Sequence, residues 1–203
     1  GYLNFDRVRV AAENMRGAPG EAFVVAQVRL GGGRVHHAMR VIGQSQKALD
    51  ALGERALSRS TQGALLADKQ MVQERIADAW IQLEQFRLLV MRTAWRIDKY
   101  QDYMKVRKDI AAVKATMPKV LHDIASSALQ VHGSIGVSSE MPFVGLIVRA
   151  YQMGRADGPT EVHKITVAKQ LLREYTGCED LFPDYHRPTA EAAARAKFSA
   201  VLG

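Results

Sequence analysis

Cysteine is almost missing from this 203-residue chain, with Cys178 standing alone. One thiol cannot pair within the chain, so a disulfide scaffold is excluded. No run of ~18 uninterrupted apolar residues occurs, which excludes a membrane-spanning helix. Glycine-rich phosphate loops and dinucleotide fingerprints are missing as well. Gly31-Gly32-Gly33 precedes no strand-helix unit and reads as punctuation inside or before a helix. No glutamate is followed three residues later by histidine, so the ligand set of a di-iron bundle is not present. His36 and His37 are adjacent, and on a helix they point about 100° apart, which disfavours a shared ion. No metal site is expected.

Lys+Arg outnumber Asp+Glu by 28 to 21, a formal charge of +7. The cations are nevertheless interleaved with acids, as in Ala67-Asp68-Lys69-Gln70 and Arg107-Lys108-Asp109. Without a block of about five like charges, a nucleic-acid stripe is disfavoured. Arginines that meet the phosphates of a small anionic ligand are the milder reading. The opening Gly1-Tyr2-Leu3-Asn4-Phe5-Asp6-Arg7 lacks the pattern of a secretory leader. A reducing, intracellular setting is expected.

Apolar residues make up 47% of the chain, enough to bury a core and too many for a disordered tail. The length fits one domain, or one plus a short appendage. Leu3 to Val10 alternates apolar and polar side chains, which predicts a strand, and Gly17-Ala18-Pro19-Gly20 predicts a loop after it. A lone strand is unstable in water, so this one is expected to belong to a β-domain missing from the chain.

From Glu21 onward the period is helical. One stripe runs through Val35, Ala38, Ile42, Ser45, Leu49 and Leu52. A second runs from Val72 through Ile76, Ala79, Leu83, Phe86 and Val90 to Ile97. A third runs from Val106 through Ile110, Val113, Met117, Val120 and Ile124 to Val131. Pro118 lies inside the third stripe and is expected to kink or restart the helix. A short helix is expected from Pro142 to about Met153, and another from Pro159 with Gly158 as its N-cap. Long helices with short connections predict an all-α, up-down four-helix-type bundle. The expected divisions are residues 1–20 for the strand and linker, 21–175 for the bundle, and 176–203 for a tail that adds a terminal helix over Ala190 to Leu202.

Two segments carry chemistry. Asp157-Gly158-Pro159-Thr160-Glu161-Val162-His163 places a carboxylate just outside a helix start, near the positive end of the helix dipole. Read blandly, this is only a helix start; read functionally, it is a carboxylate held for proton abstraction. Gln130-Val131-His132-Gly133-Ser134-Ile135-Gly136 is the second segment.

Together with Phe5 to Asn14 and the Arg55, Ser58-Arg59-Ser60-Thr61-Gln62-Gly63 and Lys69-Gln70 stretch, these segments resemble the C-terminal portion of the flavin-dependent acyl-CoA dehydrogenase family. The resemblance covers residues 3 to 175, and the DGP-x-EVH turn is most similar to a subgroup with Asp in place of Glu. It implies α,β-dehydrogenation of an acyl-CoA thioester with FAD as cofactor. Asp157 would be the base that takes the α-proton. Arg34 and Gly158 would lie against the substrate. Arg59 would reach the flavin diphosphate across a subunit interface, and Thr61, Gln70, Gln130, Gly133, Ser134, Thr160 and Glu161 would also serve the cofactor. Some members carry the base on the first long helix; the matching position here is Gly33, which bears no side chain. The family Thr after E-G is Pro159 here. The resemblance further implies a homo-oligomer, dimer or tetramer, and an electron-transfer flavoprotein as electron acceptor. The compartment would be cytoplasmic, or mitochondrial or peroxisomal in a eukaryote. A non-catalytic helical assembly module and an acyl-CoA oxidase of the same fold are the alternatives. The chain by itself is expected to be a fragment that binds FAD poorly.

Overall fold

The computed structural model describes residues 1–178, 181–183 and 185–202. It divides into a unit of residues 1–168 and a second of residues 169–203.

The first unit is built on three long helices, α1 (Ala22–Ser58), α2 (Gln70–Tyr100) and α3 (Arg107–His132), followed by the shorter α4 (Phe143–Met153) and the start of α5 (Thr160–Leu172). Cross-helix pairs fix their directions. Arg87 of α2 donates to Gln46 of α1 at 2.9 Å, and Gln82 donates to Asp123 of α3 at 3.1 Å. Near the opposite end of α2, Arg96 pairs with Asp109 of α3 at 3.3 Å. The helix α2 is therefore antiparallel to both neighbours, and α1 and α3 run the same way. The backbone oxygen of Met153, at the last turn of α4, meets Lys114 near the start of α3, so α4 returns alongside α3. The arrangement is up-down-up-down, an all-α bundle as the three stripes predict.

The core is aliphatic with two phenylalanines. Leu52, Leu83, Phe86, Met117, Leu121, Ile124 and Phe143 are all buried to 1% exposure or less. The helix α3 is central, packing against α1, α2 and α4. Each predicted stripe faces this core, although Ile42, Ile76 and Ile97 are only partly buried while Val41 and Ala48 are fully covered. A 3.6-residue period widens the buried face by a residue on either side of an idealised stripe.

The junction between α1 and α2 is a two-residue hairpin, with Ser60 opposite Leu65 and Thr61 opposite Ala64. Its central residues Gln62 (φ +53°) and Gly63 (φ +76°) are both left-handed. That is the backbone of a type I′ turn, which the glycine makes easy.

Four expectations need correction. The strand at Leu3 to Val10 does not form: residues 1–10 carry no regular structure and are exposed. An isolated strand has no ladder partner to satisfy its backbone, which is the physical reason. Pro118 does not restart α3, which continues through it; the missing N–H falls one turn above the carbonyl of Lys114. The helix after Pro159 begins at Thr160. The terminal helix spans Arg187–Lys197 (α6), three residues earlier than Ala190, and is followed by a short α7 (Ser199–Leu202).

In the second unit, the start of α6 is organised locally. The rings of Phe182 and His186 stack at 4.1 Å, and His186 Nδ1 contacts Thr189 Oγ1 at 3.1 Å. The thiol of Cys178 donates to the carbonyl of Phe182.

Leu83 of α2 is fully buried in the core. Leu83→Ala is expected to lower the unfolding free energy by about 2–5 kcal/mol, read from urea titration followed by circular dichroism.

Candidate active site

The turn between α4 and α5 is unusual in its backbone. Asp157 has φ +58° and Gly158 has φ +105°, so two consecutive residues turn left-handed. Asp tolerates this region better than most side chains, and glycine is indifferent to it. Such a turn needs support, and three helices supply it. From α1, Arg34 donates through Nε (3.2 Å) and Nη2 (3.1 Å) to the carbonyl oxygen of Asp157. From α5, His163 Nε2 lies 3.2 Å from the same oxygen. From α3, Lys114 Nζ donates to the carbonyls of Met153 (2.6 Å) and Gly158 (3.2 Å). A further bond ties Thr160 N–H to the Gly154 carbonyl at 3.0 Å.

Electrostatics follow from this burial. Lys114 is fully covered, and burial lowers its ammonium to about 8, with Asp157 pulling the other way. The ammonium carries three N–H groups, two of which serve these carbonyls. Burial likewise holds the His163 imidazole below its ordinary value, with the contact to the Asp157 carbonyl opposing that shift. The ring is then neutral at pH 7, and Nε2 must carry its hydrogen to donate to that oxygen. Burial also lowers Arg34, again against the pull of Asp157.

While its backbone is fixed, the side chain of Asp157 stays available. It is 20% exposed, and Oδ2 faces His37 Nε2 of α1 at 3.5 Å. Gly33 lies one turn earlier on α1, where a Cβ would sit 3.9 Å from the same Oδ2. The missing side chain at Gly33 leaves room beside the carboxylate, between Arg29 and His37 of α1. A partly exposed carboxylate on a fixed turn can accept a proton from a weak carbon acid.

The structure brings some predicted residues together and separates others. Asp157, Gly158 and Arg34 form one cluster, although Arg34 is engaged on the turn and on Gln27 Oε1. Thr160 lies beside it, with its hydroxyl on the Gly154 carbonyl. Glu161 is exposed and pairs with Arg155 at 3.7 Å. Arg59, Thr61 and Gln70 lie at the far end of α1 and the start of α2. Gln130, Gly133 and Ser134 lie at the end of α3, which the helix directions bring to that same end. Arg34 and Arg59 are separated by roughly 37 Å of helix at ~1.5 Å per residue. Arg59, Gln70, Gln130 and Ser134 are exposed, and none of their side chains is engaged by another group among the described residues. A free guanidinium with two primary amides is a donor set suited to a diphosphate and a purine edge. These residues fit the dinucleotide part of FAD.

Three residues at the turn escape a reading by motif. His37 is half of a His-His pair weighed only for metal. Lys114 falls on the apolar face between Ile110 and Met117, and a lysine in such a stripe is itself a signal. His163 lies inside the turn segment, with nothing local to say that it would bond back to Asp157. No cluster of metal-ligating groups and no helix long and apolar enough to cross a membrane occurs among the described residues.

With this geometry in view, the comparisons are direct. Residues 20–172 match the family described as acyl-CoA dehydrogenase, C-terminal domain. The chain belongs to the acyl-CoA dehydrogenase family and comprises its helical C-terminal domain. It is 39% identical over 173 residues to the Mycobacterium tuberculosis protein named "Probable acyl-CoA dehydrogenase FadE2", covering 85% of this chain and 42% of that one. It is 36% identical over 171 residues to (R)-benzylsuccinyl-CoA dehydrogenase of Thauera aromatica, covering 83% and 41%. The solved butyryl-CoA dehydrogenase of Megasphaera elsdenii superposes with a TM-score of 0.77 at 30% identity, covering 83% of this chain and 43% of that one. The chain thus spans less than half the length of these relatives.

Two outcomes test the turn. Gly158→Ala combines a left-handed backbone with a Cβ placed 3.0 Å from His163 Nε2, so a stability loss of about 1–3 kcal/mol is expected in thermal or urea unfolding. Lys114 binds its proton less tightly folded (about 8) than unfolded (10.5). Between those values the unfolded chain holds more protons, so this group makes stability rise with pH. Unfolding free energy measured from pH 8 to 10.5 is expected to climb more steeply in the native chain than in Lys114→Met.

Proposed function

We propose that this chain is the helical part of an FAD-dependent acyl-CoA dehydrogenase in which Asp157 abstracts the α-proton of an acyl-CoA thioester. The observation that carries this reading is the division at Asp157: three helices fix the backbone of its turn, yet its carboxylate remains accessible and, among the described residues, makes its close contact with His37. A base aimed by rigid elements and freed from competing hydrogen bonds suits a weakly acidic carbon.

The step balances within the substrate. The Cα–H bond breaks and its proton goes to an Asp157 carboxylate oxygen. The Cβ–H bond breaks with its electron pair leaving as hydride, and the Cα–Cβ π bond forms. When bound, FAD supplies the hydride acceptor. Gly158, without a side chain, lets the thioester approach the turn. Arg34 acts here through the Asp157 carbonyl, keeping the turn in register. Thr160 and Glu161 stand on the flank of the turn where they would meet the cofactor.

The remaining cofactor residues lie at the other end of the bundle. Arg59, with Thr61, Gln70, Gln130, Gly133 and Ser134, would therefore hold the dinucleotide portion of FAD bound at the turn of a second copy. That arrangement makes the enzyme an obligate homo-oligomer. Exposed Trp80, Leu88, Met91 and Trp95 along α2 supply apolar surface for such association. An electron-transfer flavoprotein would then reoxidise the reduced enzyme.

Asp157→Asn in the full-length protein provides the test. Reduction of bound FAD by acyl-CoA is expected to fall by about 10²–10⁴-fold, together with loss of α-proton exchange in D₂O, while FAD stays bound. Unchanged turnover would remove Asp157 as the base.

A further inference from the structure

We propose that His37 is a positioning residue for Asp157, holding one carboxylate oxygen so that the other faces the substrate. This rests on Asp157 being the base. Gly33 and His37 lie one turn apart on α1, on the face turned toward the α4–α5 turn. Where Gly33 leaves space, His37 fills it, with Nε2 at 3.5 Å from Asp157 Oδ2. Every other cation or imidazole that holds this turn is spent on backbone. Arg34 and His163 hold the Asp157 carbonyl, and Lys114 holds those of Met153 and Gly158. Among the described residues, His37 makes the one ion-pair contact of the carboxylate, and the Arg29 guanidinium lies further off beside Gly33.

The other ring nitrogen decides the tautomer. His37 Nδ1 is buried and has no hydrogen-bond partner. An orphaned buried N–H is rarer and more costly than an unfilled acceptor. Of the two neutral tautomers, the one with its hydrogen on Nε2 fits, donating toward Oδ2 and leaving Nδ1 as a bare lone pair. A separation of 3.5 Å is an ion-pair contact, long for a hydrogen bond, and catalytic hydrogen bonds often reach full strength only in the substrate complex. With Oδ2 held, the carboxylate cannot swing about its Cβ–Cγ bond, and Oδ1 is presented to the α-proton. No proton passes to His37: the proton arrives at Oδ1, and the Nε2 hydrogen stays on Nε2.

Two substitutions separate reach from bulk. Gln can place its amide nitrogen near the Nε2 position, whereas Asn reaches only the Nδ1 position. In the full-length, FAD-loaded protein, His37→Asn is expected to lower kcat by about 100-fold, the cost of roughly 1 Å misplacement, with KM within about 3-fold of the native value. His37→Gln is expected to recover kcat to within about 5-fold, because it restores the donor. A native kcat in His37→Asn, or Gln and Asn variants equally slow with full FAD content, overturns the assignment. Asp157→Asn run in parallel separates the two readings. If it is inactive while His37→Asn is fast, only the role of His37 falls; if it retains turnover, the base reading falls and takes this inference with it.

Discussion

The carbonyl oxygen of Asp157 is where the geometry of the site is decided. Three N–H groups from two helices converge on it, two from the fork of Arg34 and one from His163. A left-handed non-glycine residue persists only where its surroundings over-determine it, and this carbonyl is the means. Lys114 repeats the device on the neighbouring carbonyls of Met153 and Gly158. The donors come from α1 and α3, which the core holds in register, and from α5, which follows the turn directly. The packing of Leu52, Leu83 and Met117 is thereby transmitted to a single turn at the edge of the bundle.

The charge arrangement at that turn is economical. Burial favours the neutral form of His163, which can donate without a net charge, and lowers Lys114 to about 8, where the ammonium still predominates at pH 7. Arg34 supplies permanent positive charge beside the Asp157 carboxylate. It contacts the main chain, so it shapes the turn without closing off the carboxylate. Asp109, at the same end of α3, shows the contrasting case. Its side chain is buried and bracketed by Arg92 and Arg96, both at 3.3 Å, as a structural ion-pair cluster with no accessible oxygen to offer. Two aspartates at one end of the bundle thus differ in role because one is enclosed and the other is not.

What was legible in the sequence followed from local periodicity. The three apolar stripes predicted α1, α2 and α3, and proline with glycine marked the start of α5. The segment at Asp157 stood out because carboxylate, glycine and proline together make a distinctive turn. Contacts across large sequence separations were not legible. Arg34 and Asp157 are 123 positions apart, and nothing in either neighbourhood announces the other. Lys114 carried a signal in its place on an apolar stripe, but its partners are carbonyls, which every residue possesses. The strand expected at Leu3 to Val10 shows the opposite limit: alternation records a preference, while a ladder needs a second strand.

The left-handed backbone at Asp157 bears on the choice of acid there. A short carboxylate is among the few non-glycine side chains that adopt that conformation with some frequency, and a longer acid is not. The fold therefore trades reach for ease of turning. Opposite this short arm α1 presents bare Gly33, where a Cβ would stand 3.9 Å from Oδ2, so a side chain there would crowd the carboxylate.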